Sequence, residues 1–85
     1  MRGYEISDPL KKILKKVSNK DKILYESVLK KIEEIIASSD IEHYKNLKYG
    51  LKDSKRVHIG HFVLVFRFVG DKVYFDDFDH HDNIY

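Results

Sequence analysis

The last third of the chain, residues 56–85, constrains the fold most strongly, because its side chains alternate as they do on β-strands. From Phe62 to Val69 only Arg67 is polar, so both faces of this stretch require cover and we predict a central strand. Gly60 and Gly70 break the alternation, and Gly70 stands first in a two-residue break, as a type II′ hairpin turn requires. The breaks predict three antiparallel strands: Arg56 to Ile59, Phe62 to Val69 and Lys72 to Phe78.

Two amphipathic helices are predicted before these strands. After a short strand at Gly3 to Ser7, Asp8-Pro9 favours a helix start, since Asp caps a helix and Pro suits its first position. A second helix starts at Asp21. Apolar residues recur at helical spacing in both helices: Leu10, Ile13, Leu14 and Val17, then Leu24, Val28, Ile32, Ile35 and Ile36. Residues 40–54 are weakly periodic, which we interpret as an irregular connection with at most one helical turn.

The order of these elements predicts a single α+β domain over residues 1–85. A helical hairpin should pack on one face of a mainly antiparallel sheet, and the other face is then left for function. The first strand should lie beside the last or the central strand of the meander. The predicted common core comprises Ile13, Leu14, Val28, Ile32, Phe62 and Phe66.

Composition narrows the class of protein. The chain has no cysteine, which excludes disulfides, thiolate catalysis and cysteine-based zinc sites, and fits a reducing compartment. No apolar run approaches the roughly 20 residues of a membrane span, so we expect a soluble cytoplasmic protein with no membrane partner. Residues 1–31 carry nine Lys or Arg against four Asp or Glu, whereas residues 57–85 carry two against five. This basic first part is either a solvated helical face or a surface for nucleic acid or an acidic partner.

In the order and spacing of its motifs, the whole chain resembles the RelE/ParE superfamily of small bacterial and archaeal toxins. The motifs are the opening Tyr4-x-Ile6-Ser7 strand, the two helices, Leu47-Lys48, the hairpin Arg56-x-His58-Ile59-Gly60-x-Phe62-x-Leu64-x-Phe66, and the ending His81-x-x-Ile84-Tyr85. The histidine-using, YafQ-type branch is the most similar. The chain departs from the RelE branch at Val63 and His81, where that branch has arginine.

The resemblance implies the toxin of a toxin–antitoxin module. Such a toxin is a ribosome-dependent endoribonuclease that cleaves mRNA in the ribosomal A site, inhibits translation and is neutralised by a cognate antitoxin protein. The resemblance implies no cofactor and no metal, and DNA contact only through the antitoxin complex. The alternative is a ParE-like toxin that cuts no RNA and binds a protein target such as DNA gyrase. Val63 favours this alternative, and His58 and His81 argue against it.

The expected site residues follow from matching the chain to the YafQ-type branch. The catalytic set is His58, His81, Arg56 and Tyr85, and the substrate-binding set is Lys48, Lys52 and His61. His61 falls near the position of an acidic catalytic residue in that branch. Independently of the family, attack by a 2′-hydroxyl on its own phosphodiester needs a base, an acid and cations around the phosphorane. Histidine, with an ordinary pKa of about 6.5, can fill either proton-transfer role near neutral pH.

Three further interpretations of these residues stay open from the sequence. Arg67 either pairs with Asp76 or Asp77 across the hairpin or contacts substrate. His80 and His81 should point opposite ways, so at most one of them joins His58. A zinc site built from these histidines with Asp77 or Asp79 is disfavoured, because His-x-x-His across a strand and turn lacks the one-face geometry that it has on a helix.

Overall fold

The computed structural model describes residues 3–38, 45–46 and 54–84, which form one mixed sheet with three helices. In chain order the elements are β1 (Gly3–Ile6), α1 (Asp8–Lys20), α2 (Lys22–Ala37), β2 (Lys45–Asn46), β3 (Ser54–Ile59), β4 (Phe62–Val69), β5 (Lys72–His80) and α3 (His81–Ile84). The strand order across the sheet is β1-β5-β4-β3-β2. Only the β1–β5 pair is parallel among these strands.

The predicted α+β architecture is confirmed, and β2 and α3 add to it. β1 lies beside β5, the last strand of the meander, with Ile6 opposite Phe75. Within the predicted irregular connection, Lys45 and Asn46 form a short strand that pairs with β3. Residues 40–44 and 47–53 of this connection, for which a helical turn was considered, are outside the described residues. No helix in the described part of the chain is both long and apolar enough to cross a membrane.

The start of α1 differs from the prediction by one residue. Ser7, in extended conformation, is the cap, and Asp8 is already helical. The Ser7 hydroxyl accepts a hydrogen bond from the Leu10 amide at 3.2 Å and donates one to the Asp76 carbonyl at 2.9 Å. Serine is favoured at the cap because its hydroxyl can accept a hydrogen bond from the helix and donate one to the neighbouring strand, whereas an ionised Asp only accepts. For α2 the predicted cap is correct, with Asp21 accepting from the Leu24 amide at 3.1 Å.

The core lies between the helical hairpin and one face of the sheet. The apolar stripes of α1 and α2 are buried there against Phe66, Phe75 and Phe78, each at most 2% exposed. Of the six predicted core residues, four are buried, and Ile13 and Phe62 are partly buried but packed against the core. The core also contains residues beyond those six. Leu10, Ile35 and Ile36 come from the predicted apolar stripes of the helices, and the strands add Ile59, Leu64, Val73, Phe75 and Phe78.

An irregularity in the β4–β5 ladder sets which β5 side chains reach the core. Val65 pairs with Asp77 but the next residue, Phe66, pairs with Phe75, so Asp76 is an extra residue. A bulge of this kind resets the alternation. Phe75 and Phe78 can therefore both face the helices, although they are three residues apart in one strand.

Both tight turns of the meander begin with a glycine in the left-handed region. Gly60 has φ +62° and Gly70 has φ +61°. A positive φ at the first turn position is what two-residue hairpins need to match the twist of the strands, and side chains with a Cβ rarely adopt it. The Gly60 turn is the one that matters for the site, because it joins the strand carrying His58 to the central strand.

Candidate active site

The candidate site lies on the open face of the sheet, by which we mean the face of β3, β4 and β5 opposite α1 and α2. Residues directly opposite one another on neighbouring strands share a face. Val57, Leu64 and Phe78 form one such row on the core side. The neighbouring row His58, Val63 and Asp79, and the row Arg56, Val65 and Asp77, therefore belong to the open face.

His58 and His81 come together at one end of this face. Their ring centroids are 5.4 Å apart and their planes are inclined by 30°. His58 is exposed on β3, and His81 is the first residue of α3, with its side chain 47% exposed. The His81 amide donates to the His61 carbonyl in the β3–β4 turn at 2.9 Å. One hairpin thus carries His58 and also holds the backbone of His81.

His61 and His80 form a separate pair. Their rings are stacked, with centroids 6.3 Å apart and an angle of 14°. His80 connects this pair to the core. It meets the Phe62 ring at 5.5 Å in a T-shaped contact, and Phe62 packs on Phe78. The structure therefore splits the adjacent His80 and His81, as the strand alternation predicts, and places His61 with His80.

Two carboxylates surround α3. Asp79 accepts from the His80 amide at 2.7 Å, within β5, and from the Asn83 side chain at 3.2 Å, which ties the short helix to the end of β5. Asp82 lies between the two histidine pairs: its Oδ1 is 3.5 Å from Nδ1 of His81 and its Oδ2 is 3.6 Å from Nδ1 of His80. The Asp82 amide also donates to Nδ1 of His80 at 3.4 Å.

The two arginines of the meander have different positions. Arg56 is half-buried on the same face as His58 and two residues before it, about 7 Å along the strand. Arg67 makes a two-pronged pair with Asp76, Nε to Oδ2 at 2.6 Å and Nη2 to Oδ1 at 3.1 Å, and lies 5.0 Å from the Tyr74 ring centroid. Pairing of Arg67 across the hairpin, one of the two interpretations from the sequence, is thus what the structure shows.

Three of the expected site residues, Lys48, Lys52 and Tyr85, lie outside the described residues. Among residues 3–38, 45–46 and 54–84 there is no group of three or more His, Cys, Asp or Glu side chains that could hold a metal ion. Sequence reasoning overlooked Asp82 and the carbonyl of His61. The role of Asp82 could have been predicted from the sequence, since a carboxylate directly after a candidate catalytic histidine can reach its ring. The contact with the His61 carbonyl is a backbone contact, which no side-chain pattern reveals.

Comparison with known proteins gives two relatives that match over the whole chain. A protein of Methanocaldococcus jannaschii, provisionally named toxin RelE4, is 52% identical over 88 residues, covering 100% of this chain and 92% of the relative. The chain belongs to the RelE-like toxin family. An uncharacterised protein of Methanosarcina mazei is 40% identical over 88 residues, and each protein is covered over 100% of its length. No family model matches the sequence.

Solved structures show that this RelE-family chain has the YafQ fold. YafQ of E. coli superposes with a TM-score of 0.67 at 15% identity, over 100% of this chain and 99% of YafQ. In the DinJ–YafQ complex of E. coli the TM-score is 0.68 at 16% identity, with the same coverage. HP0894 of Helicobacter pylori gives 0.68 at 19% identity, over 96% of this chain and 97% of that protein. At these identities the likeness concerns the fold.

Proposed function

We propose that this RelE-family toxin is a ribosome-dependent endoribonuclease that cleaves mRNA by attack of the RNA 2′-hydroxyl. The observation that carries the proposal is the pairing of His58 and His81, with ring centroids 5.4 Å apart on an open sheet face beside Arg56. Two imidazoles at this separation can reach the two oxygens that exchange protons at one phosphorus atom. The RNA would bind to the open face, which the helical hairpin does not cover.

The chemistry divides between three side chains. One histidine takes the proton of the 2′-hydroxyl, whose oxygen forms a bond to phosphorus. The bond from phosphorus to the 5′-oxygen breaks, and the other histidine gives that oxygen a proton. Arg56 offers a charge that is present at any working pH to the phosphorane oxygens. Tyr85 is proposed to stack on a base, and Lys48 and Lys52 to hold phosphates; His61, which packs on His80, would contact RNA only outside the reacting centre.

A cognate antitoxin is the second partner that we propose. YafQ, whose fold this chain shares, has been solved in complex with DinJ. The outer side of α1 offers a surface for such a protein, because Lys11, Lys12, Lys15 and Lys16 are all exposed and only Lys11 has an acidic neighbour on its own helix, Asp8 at 3.9 Å. An antitoxin segment with acidic side chains would complement it.

Purified toxin mixed with programmed ribosomes tests the nuclease. The expected fragments end in a 2′,3′-cyclic phosphate, since the 2′-hydroxyl attacks without an added water. His81→Ala should lower the rate by roughly 10²–10⁴-fold and His58→Ala by a similar or smaller factor. Asp71→Asn, in the exposed turn between β4 and β5, is the control outside the site and should cut as wild type does.

A second function is kept open by Val63, which is fully buried beside His58 where the RelE branch has arginine. A ParE-like toxin would act on a protein such as DNA gyrase. If the toxin arrests growth with DNA damage while mRNA stays intact, the proposed nuclease is wrong and the ParE-like function takes its place. If the double variant His58→Ala/His81→Ala cuts mRNA as fast as wild type, the assignment of the site is wrong although the family stands.

A further inference from the structure

We propose that Asp82 is the positioning residue of His81: its carboxylate keeps the neutral imidazole protonated on Nδ1, so that Nε2 is the nitrogen that exchanges the proton with RNA. The inference rests on the proposed nuclease for its consequence in catalysis, but not for the proton assignment itself. It starts from the distance of 3.5 Å between Oδ1 of Asp82 and Nδ1 of His81. Contacts of this length in a structure without substrate often shorten when substrate binds.

His80 decides which imidazole Asp82 serves. Both histidines present Nδ1 to this carboxylate, at 3.6 Å for His80 and 3.5 Å for His81. Nδ1 of His80 also accepts a hydrogen bond from the Asp82 amide at 3.4 Å, and an imidazole nitrogen that accepts carries no proton in the neutral ring. Neutral His80 therefore has its proton on Nε2 and cannot donate to the carboxylate through Nδ1. The donor that Asp82 can accept from is Nδ1–H of His81.

The backbone around Asp82 holds this arrangement in place. The His81 amide is bonded to the His61 carbonyl, and the Asn83 side chain is bonded to Asp79, so the residues on both sides of Asp82 are tied to the sheet. Asp82 itself is 81% exposed, so its replacement leaves no cavity. A carboxylate on one imidazole nitrogen fixes which nitrogen reacts and stabilises the imidazolium when it forms. Asp82 does so without touching the substrate.

Nitrogen-15 NMR of the toxin alone tests the proton assignment. In long-range proton–nitrogen spectra at about pH 8, wild-type His81 should show its proton on Nδ1. Asp82→Asn removes the charge, and its amide competes for Nδ1, so the proton should move to Nε2 in a large fraction of molecules. Asp71→Asn is the matched control, since it makes the same change in the exposed turn between β4 and β5. Wild-type His81 protonated on Nε2, or a His81 spectrum that Asp82→Asn leaves unchanged, would overturn the proposal.

Cleavage on programmed ribosomes tests the catalytic consequence. Asp82→Asn should lower the rate constant at saturating toxin by roughly 10–100-fold, the range known for residues that orient a ligating or catalytic histidine, with little change in toxin–ribosome affinity. Asp82→Glu should recover part of the loss, and Asp71→Asn should cut as wild type does. A loss of affinity with an unchanged rate constant would contradict a positioning role. If the wild type cuts no RNA, the proposed nuclease fails, and the NMR spectra still decide the relation between Asp82 and His81.

Discussion

At the scale of single residues, the chemistry depends on which neighbour each histidine has. His58 and His81 face each other on the open side, and His80, which is also exposed, stacks on His61 and meets Phe62 at the edge of the core. Histidine side chains are therefore expected to be reactive in the His58–His81 pair and to serve for packing in the His61–His80 pair. Adjacent positions in the sequence have acquired different neighbours because His80 ends β5 and His81 starts α3.

The pH dependence of cleavage should show the two reactive histidines separately. A base must be deprotonated, so its limb rises with pH, whereas an acid must be protonated, so its limb falls with pH. Wild type should give a bell-shaped profile of the cleavage rate constant. The alanine variant that removes the base should lose the acidic limb, and the variant that removes the acid should lose the alkaline limb. Arg56→Ala should lower the rate and keep the bell, and two intact limbs in both histidine variants would contradict the assignment.

Arg67 should matter for stability and not for cleavage. Its two bonds to Asp76 are well formed, but the side chains are 42% and 30% exposed, so solvent screens the pair. A double-mutant cycle with Arg67→Ala and Asp76→Ala should give a coupling energy of about 1 kcal/mol in urea unfolding. The cleavage rate of folded Arg67→Ala should stay within about threefold of wild type. A hundredfold loss of rate would instead favour the substrate role that the sequence left open.

At the scale of elements, the capping of α1 gives a direct test. Ser7→Ala removes the acceptor for the Leu10 amide and the donor to the Asp76 carbonyl, and should lower the free energy of unfolding by about 1–2 kcal/mol. Ser7→Asp should recover part of this, because a carboxylate still caps the helix. Ser27→Ala is the matched control: Ser27 is exposed and bonds only to Ile23 of its own helix, so alanine should be neutral or slightly stabilising. Equal loss in Ser7→Ala and Ser27→Ala would argue against the cap.

The elements themselves were largely predictable, and the exceptions have physical causes. Period-two and period-3.6 patterns identify the strands and helices because burial of one face determines them, and alternation also separates His80 from His81. The bulge at Asp76 was not predicted, since a strict alternation through β5 leaves no place for an extra residue. The sequence does indicate a bulge, because Phe75 and Phe78 are three residues apart and a regular strand cannot turn both toward one core. The choice of Ser7 over Asp8 as the cap is favoured by a bond to Asp76, 69 residues away, which no local rule includes.

At the scale of the whole molecule, the distribution of charge predicts how an antitoxin is captured. Lys12→Glu/Lys16→Glu should slow association with the antitoxin and flatten its salt dependence, because attraction between the two surfaces accelerates the encounter. Lys22→Glu/Lys30→Glu changes the net charge equally on α2 and serves as the control. Stopped-flow association across a salt series measures both. Equal kinetics for the two double variants would show that the lysines of α1 are merely solvated.

The parallel pairing of β1 with β5 determines which parts of the chain can fold first. β3, β4 and β5 are joined by two-residue turns, so their pairing closes only short loops, whereas β1 must wait for a partner about 70 positions later in the chain. The first turn of α1 waits with it, because Ser7 completes its hydrogen bonds only on β5. While the ribosome is still making β5, a nascent toxin therefore has an unfinished sheet and an unfinished helix start, and His81, whose amide bonds to the β3–β4 turn, has not yet been added.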